Sequence, residues 1–219
     1  VTNALNTPSV SAEEAPRLKP YMDLATKLGL LAGQLTKDSI QRVSIEAEGT
    51  LAELNMKPVT AAVLAGMLRP ISDTVNMVNA PYLARERDID VAEVRHDREG
   101  DYASLLRVTV ETAGGTRTVA GTLFGDKAPR LVDLAGIRME AELTGGMLYI
   151  ENDDKPGFIG AVGTALGEAG VNIGTFTLGR HEDTDDAIML VAVDDEITEP
   201  LLWKICQLDG VRDVKALRF

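Results

Sequence analysis

The chain has 219 residues, a net charge of −12 at pH 7 and a single cysteine, a size that suits two modest domains. The negative charge opposes nucleic-acid phosphates and anionic membrane surfaces, and no apolar run approaches the roughly 20 residues of a membrane span. Cys206 alone can build neither a disulfide framework nor a cysteine-ligated cluster, so a cytoplasmic protein is expected, and a first residue Val1 with no signal-peptide pattern suggests a piece of a longer chain.

Residues 1–17 read as a connector, rich in turn formers, with Ser11 and Glu14 at capping-box spacing. From Leu18 the apolar positions Tyr21, Met22, Ala25, Leu28, Leu31 and Leu35 recur at helical spacing, with Pro20 in the first turn. Val43, Ile45 and Ala47 then alternate with polar residues, as in a half-buried strand closed by Gly49. Pro58 opens a second helix that Pro70 must end, and a third starts near Asn79 with Pro81 in its first turn. After Asp88 the pattern turns to strands: 91–95, a hairpin of 106–110 and 119–124 around Gly114 and Gly115, then 130–134 and 139–143. Residues 18–145 thus read as an α+β domain that ends at Gly145 and Gly146.

Beyond that glycine pair the rhythm is clearer. A strand at 147–151 leads to a helix at 156–169 with Phe158, Ile159, Val162 and Leu166 inward and Gly170 at its C-terminal cap. A strand at 171–178, an acidic turn at 181–186, a continuous apolar strand at 187–193, a helix at 198–208 and a strand at 211–219 complete the order. The expected architecture of residues 146–219 is a ferredoxin-like βαββαβ domain.

The chain has no G-x-G-x-x-G, P-loop or H-E-x-x-H motif and no zinc-type Cys/His spacing. His96 and His181 stand among acidic residues and read as solvated surface groups. One segment stands out: Asn152-Asp153-Asp154-Lys155-Pro156-Gly157, between a strand and the start of a helix. A helix N-terminus offers unpaired amides and partial positive charge to a carboxylate, and Gly157 permits close approach. Asn152 and Asp154 can accept from an ammonium group, so the turn can hold a free amino acid, with Asn172 as a further polar contact. Equally, the acidic residues can simply cap the helix and favour its dipole.

The run from Tyr149 to Gly157, followed by Gly170-Val171-Asn172-Ile173, resembles the ACT-domain signature of D-3-phosphoglycerate dehydrogenases. Residues 18–29 resemble the segment that follows the substrate domain in the long form of that enzyme, residues 1–16 the connector before it, and the intervening region, through Gly121-Thr-Leu-Phe-Gly125 to Leu143, that form's allosteric substrate-binding domain. The resemblance implies a regulatory region without catalytic residues or cofactor of its own. Its parent would oxidise 3-phosphoglycerate with NAD in serine biosynthesis. L-serine or another small amino acid would bind between the ACT domains of two subunits, on Asn152, Asp154 and Asn172, with amides near Gly157 on the carboxylate. Self-pairing also suits an unpaired sheet edge. In the first domain the family precedent is an anion site for substrate or phosphate, and Arg130 and Arg138 are the candidates, since guanidinium forks match phosphate oxygens; pairing with surface carboxylates is the other reading of these arginines. The alternatives to a regulatory fragment are a stand-alone amino-acid-sensing ACT protein and a non-catalytic subunit of an L-serine dehydratase.

Overall fold

The computed structural model describes residues 14–96 and 100–219; the Ser11 capping box and nearly all of the expected connector lie outside them. The described residues fall into two compact units, one ending at Ala135 and the other spanning Gly136–Phe219. Both mix helices with mainly antiparallel sheet, so the fold is α+β.

In the first unit, α1 (Ala15–Leu35) starts three residues earlier than the apolar periodicity indicated. Pro16 takes the first-turn position and Pro20 falls within the helix. β1 (Ile40–Gly49) leads to α2 (Met56–Leu68), whose N-cap Asn55 accepts from the Lys57 amide at 3.2 Å. That bond satisfies one of the donors a helix start leaves open. α2 is buried at every position except Lys57, because it is apolar all round rather than on one stripe. It packs on α1 through glycines: a Cβ on Gly29, Gly33 or Gly66 would run into the backbone carbonyl of Val63, Met67 or Thr26. α3 (Ala80–Glu86) then returns the chain to β2 (Asp90–His96), which pairs parallel to β1. The hairpin β3 (Ser104–Thr112) and β4 (Gly115–Phe124) turns through residues 113–114, and β5 (Ala128–Leu134) follows. Within this unit the strand order is β2-β1-β3-β4-β5.

The second unit begins with β6 (Ile137–Ala141) and then runs β7 (Gly146–Asp153), α4 (Phe158–Glu168), β8 (Ile173–Arg180), β9 (Asp186–Val193), α5 (Glu199–Cys206) and β10 (Val211–Arg218). β7 to β10 form the βαββαβ unit, with sheet order β10-β7-β9-β8, so β8 is an edge and the apolar β9 is interior. Leu148, Ile150, Met189 and Val191 meet Phe158, Val162, Leu166, Leu201 and Ile205 in one core between sheet and helices. Ile159, expected inward, is 49% exposed instead. The buried positions of α4 are Phe158, Val162, Ala165 and Leu166, and one residue past Phe158 the helix has already turned about 100° away from the sheet. β6 lies against β8, where Thr177 Oγ1 donates to the Glu140 carbonyl at 3.4 Å and a Cβ on Gly179 would meet Ile137 at 2.5 Å.

Candidate functional site

The segment singled out by its polar residues closes β7 and opens α4. Gly157 has φ of 89°, a left-handed conformation that L side chains rarely adopt, so α4 starts at Phe158 rather than at Pro156. The Phe158 amide turns back to the Lys155 carbonyl at 3.3 Å, and Ala161 makes the first intrahelical bond, to Gly157, at 3.0 Å. The amides of Ile159 and Gly160 lie between them, in the turn where helical geometry supplies no acceptor. A Cβ on Gly157 or Gly160 would meet nothing within 4 Å, so this helix start faces open space.

Asn152 sits at the end of β7 and is 2% exposed. Its Nδ2 donates to the Asp153 carbonyl at 2.7 Å, whereas its buried Oδ1 has no hydrogen-bond partner among the described residues. A buried acceptor left unmet costs about 1–3 kcal/mol, so this residue is either strained for packing or kept for a donor that arrives with a ligand.

The two aspartates beside it have separate partners. Asp153 accepts from Arg212 Nε at 2.8 Å and Nη2 at 2.5 Å and lies 3.1 Å from Lys155 Nζ. Arg212 also pairs with Asp186, tying the end of β7 to the starts of β9 and β10. The hydrogen bonds from Arg212 and then Lys155 hold the Asp153 carboxyl below its ordinary range. Those from Thr184 and then Arg212 do the same for Asp186. Asp154 donates its amide to the Asp185 carbonyl at 2.8 Å, and its Oδ2 lies 3.1 Å from Arg180 Nε at the end of β8. Neither Arg180 nor Arg212 was singled out from the sequence. The only signal was a cation at a strand end in an acidic chain, which becomes informative once the strands are ordered.

Asn172 lies elsewhere. β7 and β8 run in the same direction beside β9, and Asn172 precedes β8 while Asn152 ends β7. Along β9, the level of Asn152 is Ala187 and the level of Ile173 is Val193, a separation of about 20 Å at 3.3–3.4 Å per residue. Asn172 Nδ2 donates to Asp194 Oδ2 at 2.5 Å, and its amide donates to Asp195 Oδ2 at 3.2 Å. One chain therefore gathers Asn152, Asp154 and Gly157 at one end of the sheet and leaves Asn172 at the other.

The two candidate anion ligands belong to different units. Arg130 is half-buried on β5 opposite Thr122 and donates to the Pro129 carbonyl at 2.9 Å, whereas Arg138 is exposed on β6. His96 Nε2 lies 3.5 Å from Glu46 Oε2, and His181 Nδ1 accepts from the Asp183 amide at 3.2 Å. No group of three or more His, Cys, Asp or Glu among the described residues is placed to hold a metal ion.

Comparison with known proteins places these units. The family model "D-3-phosphoglycerate dehydrogenase intervening domain" matches residues 17–135, and the ACT domain model matches residues 146–210. The chain is 34% identical over 218 residues to a D-3-phosphoglycerate dehydrogenase of Bacillus subtilis, covering 99% of this chain and 42% of that protein. It is 35% identical over 216 residues to that of Archaeoglobus fulgidus (97% and 41%) and 33% over 218 residues to that of Synechocystis sp. (99% and 39%). It thus spans about two fifths of the length of these relatives.

Proposed function

The chain belongs to the D-3-phosphoglycerate dehydrogenase family, as its intervening and ACT regions, and from that premise we propose that it is the regulatory part of such an enzyme, binding L-serine or another small amino acid at a site shared by two copies. The parent would be a cytoplasmic enzyme that oxidises 3-phosphoglycerate with NAD through groups outside this chain; among the described residues no helix is long and apolar enough to cross a membrane.

The observation that carries this reading is the buried Oδ1 of Asn152, without a partner among the described residues, beside an open helix start. A free amino acid supplies an ammonium donor for that region and a carboxylate for the first-turn amides. Because Asn172 sits about 20 Å away along the sheet, it can join the same ligand only from a second chain, paired so that its β8 edge runs antiparallel to the first. Effector binding would then bias the arrangement of subunits and reach the catalytic parts through it. Arg130, and separately Arg138, remain the residues through which substrate or phosphate would act on the rest of the chain.

Isothermal titration with L-serine tests this directly. Wild type should bind, while Asn152→Ala and Asn172→Ala should each lose binding. Equilibrating the two variants together should restore about a quarter of the wild-type capacity, since only mixed dimers hold one intact site. Wild-type binding that survives Asn172→Ala would place the ligand within one chain. No heat from wild type with serine, glycine or alanine would reduce the turn to a helix cap.

A further inference from the structure

The Asp154 carboxylate, the expected ammonium acceptor, already faces a guanidinium: Arg180 Nε is 3.1 Å from its Oδ2. Arg180 ends β8, and the Asp154 amide is bound to the Asp185 carbonyl, so backbone pairing brings the two residues to the same end of the sheet. The pair is open to solvent, with Arg180 64% and Asp154 32% exposed. Among the described residues neither side chain makes another ion pair or hydrogen bond. The neighbouring charges are already matched, since Arg212 serves Asp153 and Asp186 while Lys155 serves Asp153. Beside the acidic turn 181–186, Asp154 and Arg180 stand as an anion and a cation side by side.

Two opposite charges at this spacing are the complement of a zwitterion, whose ammonium and carboxylate are also a few ångströms apart. A guanidinium suits the carboxylate partner because it can keep one N–H on Asp154 while its other donors turn to the ligand. The exposed Asp154–Arg180 contact costs little to rearrange, since solvent screens it. Resting on the effector reading above, we infer that Arg180 is a specificity-determining residue of the amino-acid site, joining the first-turn amides of α4 on the ligand carboxylate while Asp154 holds its ammonium, so that the site selects zwitterions over amines or acids.

The test is titration of the full chain with L-serine, ethanolamine and 3-hydroxypropanoate, the last two being serine without its carboxylate and without its amine. Wild type should prefer serine to ethanolamine by at least about tenfold. Arg180→Gln should lose most of that preference by weakening serine while leaving ethanolamine unchanged, and Arg180→Lys should recover part of it. A change confined to the carboxylate-bearing ligands is not expected from a merely structural role, and melting curves of both variants should overlay wild type. Serine binding by Arg180→Gln equal to wild type would overturn the inference and leave the effector reading standing, as would equal losses for serine and ethanolamine. Wild type that binds no amino acid would overturn the effector reading, and this inference with it.

Discussion

Replacing Gly66 by alanine probes the packing on which the first unit depends. An ideal Cβ at Gly66 falls inside contact distance of the Thr26 carbonyl oxygen of α1 and only 2.8 Å from the Leu30 nitrogen and 3.1 Å from the Thr26 carbonyl carbon. All three are backbone atoms, so no side chain can swing aside and the helices must part by about 1 Å, forfeiting about a quarter to a half of each dispersion well across the contact. Overpacking of this kind costs about 1–3 kcal/mol and more where backbone must move, against which alanine returns about 1 kcal/mol of helix propensity. Because backbone must move, the expected net loss is about 2 kcal/mol, at the upper end of that balance, seen as a fall of roughly 10 °C in the melting transition of the first unit by circular dichroism or calorimetry. Gly167→Ala is the control. Its Cβ meets nothing within 4 Å near the end of α4, so the same chemical change should stabilise by about 0.5 kcal/mol. A Gly66→Ala protein as stable as wild type would refute the claim that α1 and α2 touch through their backbones.

Three further outcomes follow from the site and its surroundings. Asn152→Leu removes a buried acceptor that lacks a donor among the described residues, but also the Nδ2 bond to the Asp153 carbonyl, so the two effects should offset to within about 1 kcal/mol in denaturant titration while serine binding is abolished; a loss well beyond that of the single Nδ2 bond would show that Oδ1 has a partner after all. Asp153 and Asp186 have folded-state pKa values depressed below 3.8, so their contribution is present above that value and is lost as pH falls through the folded values. Arg212→Gln should therefore make the acid limb of the stability profile below about pH 4 shallower without removing it, since Lys155 still lowers Asp153 and Thr184 still lowers Asp186, as read by thermal melts across pH. Asn55→Ala removes the cap of α2 and should cost about 1 kcal/mol, a fall of a few degrees in the same melts.

Periodicity and punctuation were enough to read most of the elements and their order. Alternation marked β1 and the β3–β4 hairpin, the continuous apolar run placed β9 inside its sheet, and the strand–helix rhythm after Gly146 predicted βαββαβ. These signals are local, carried by residues two to four apart. The misreadings were local too: prolines 16 and 20 both suit a helix start, and α1 begins at Ala15, with Pro16 in its first turn and Pro20 inside it. Ile159 is as apolar as Phe158, and which of them faces the core depends on where Gly157 lets the helix begin.

The residues of the candidate site were legible as types, whereas their grouping was not. Asn152, Asp154 and Gly157 are neighbours in the chain, so a strand–helix turn brings them together whatever else the fold does. Asn172 is twenty residues on, and the parallel course of β7 and β8 carries it to the far end of the sheet, a fact fixed by strand order alone. Strand order also brings Arg180 to Asp154 and Arg212 between Asp153 and Asp186. Sequence by itself determined what each segment is, because propensity and amphipathic period act over a few residues. Tertiary structure alone decided which charges meet, because electrostatic pairing depends on distances that only the closed sheet sets.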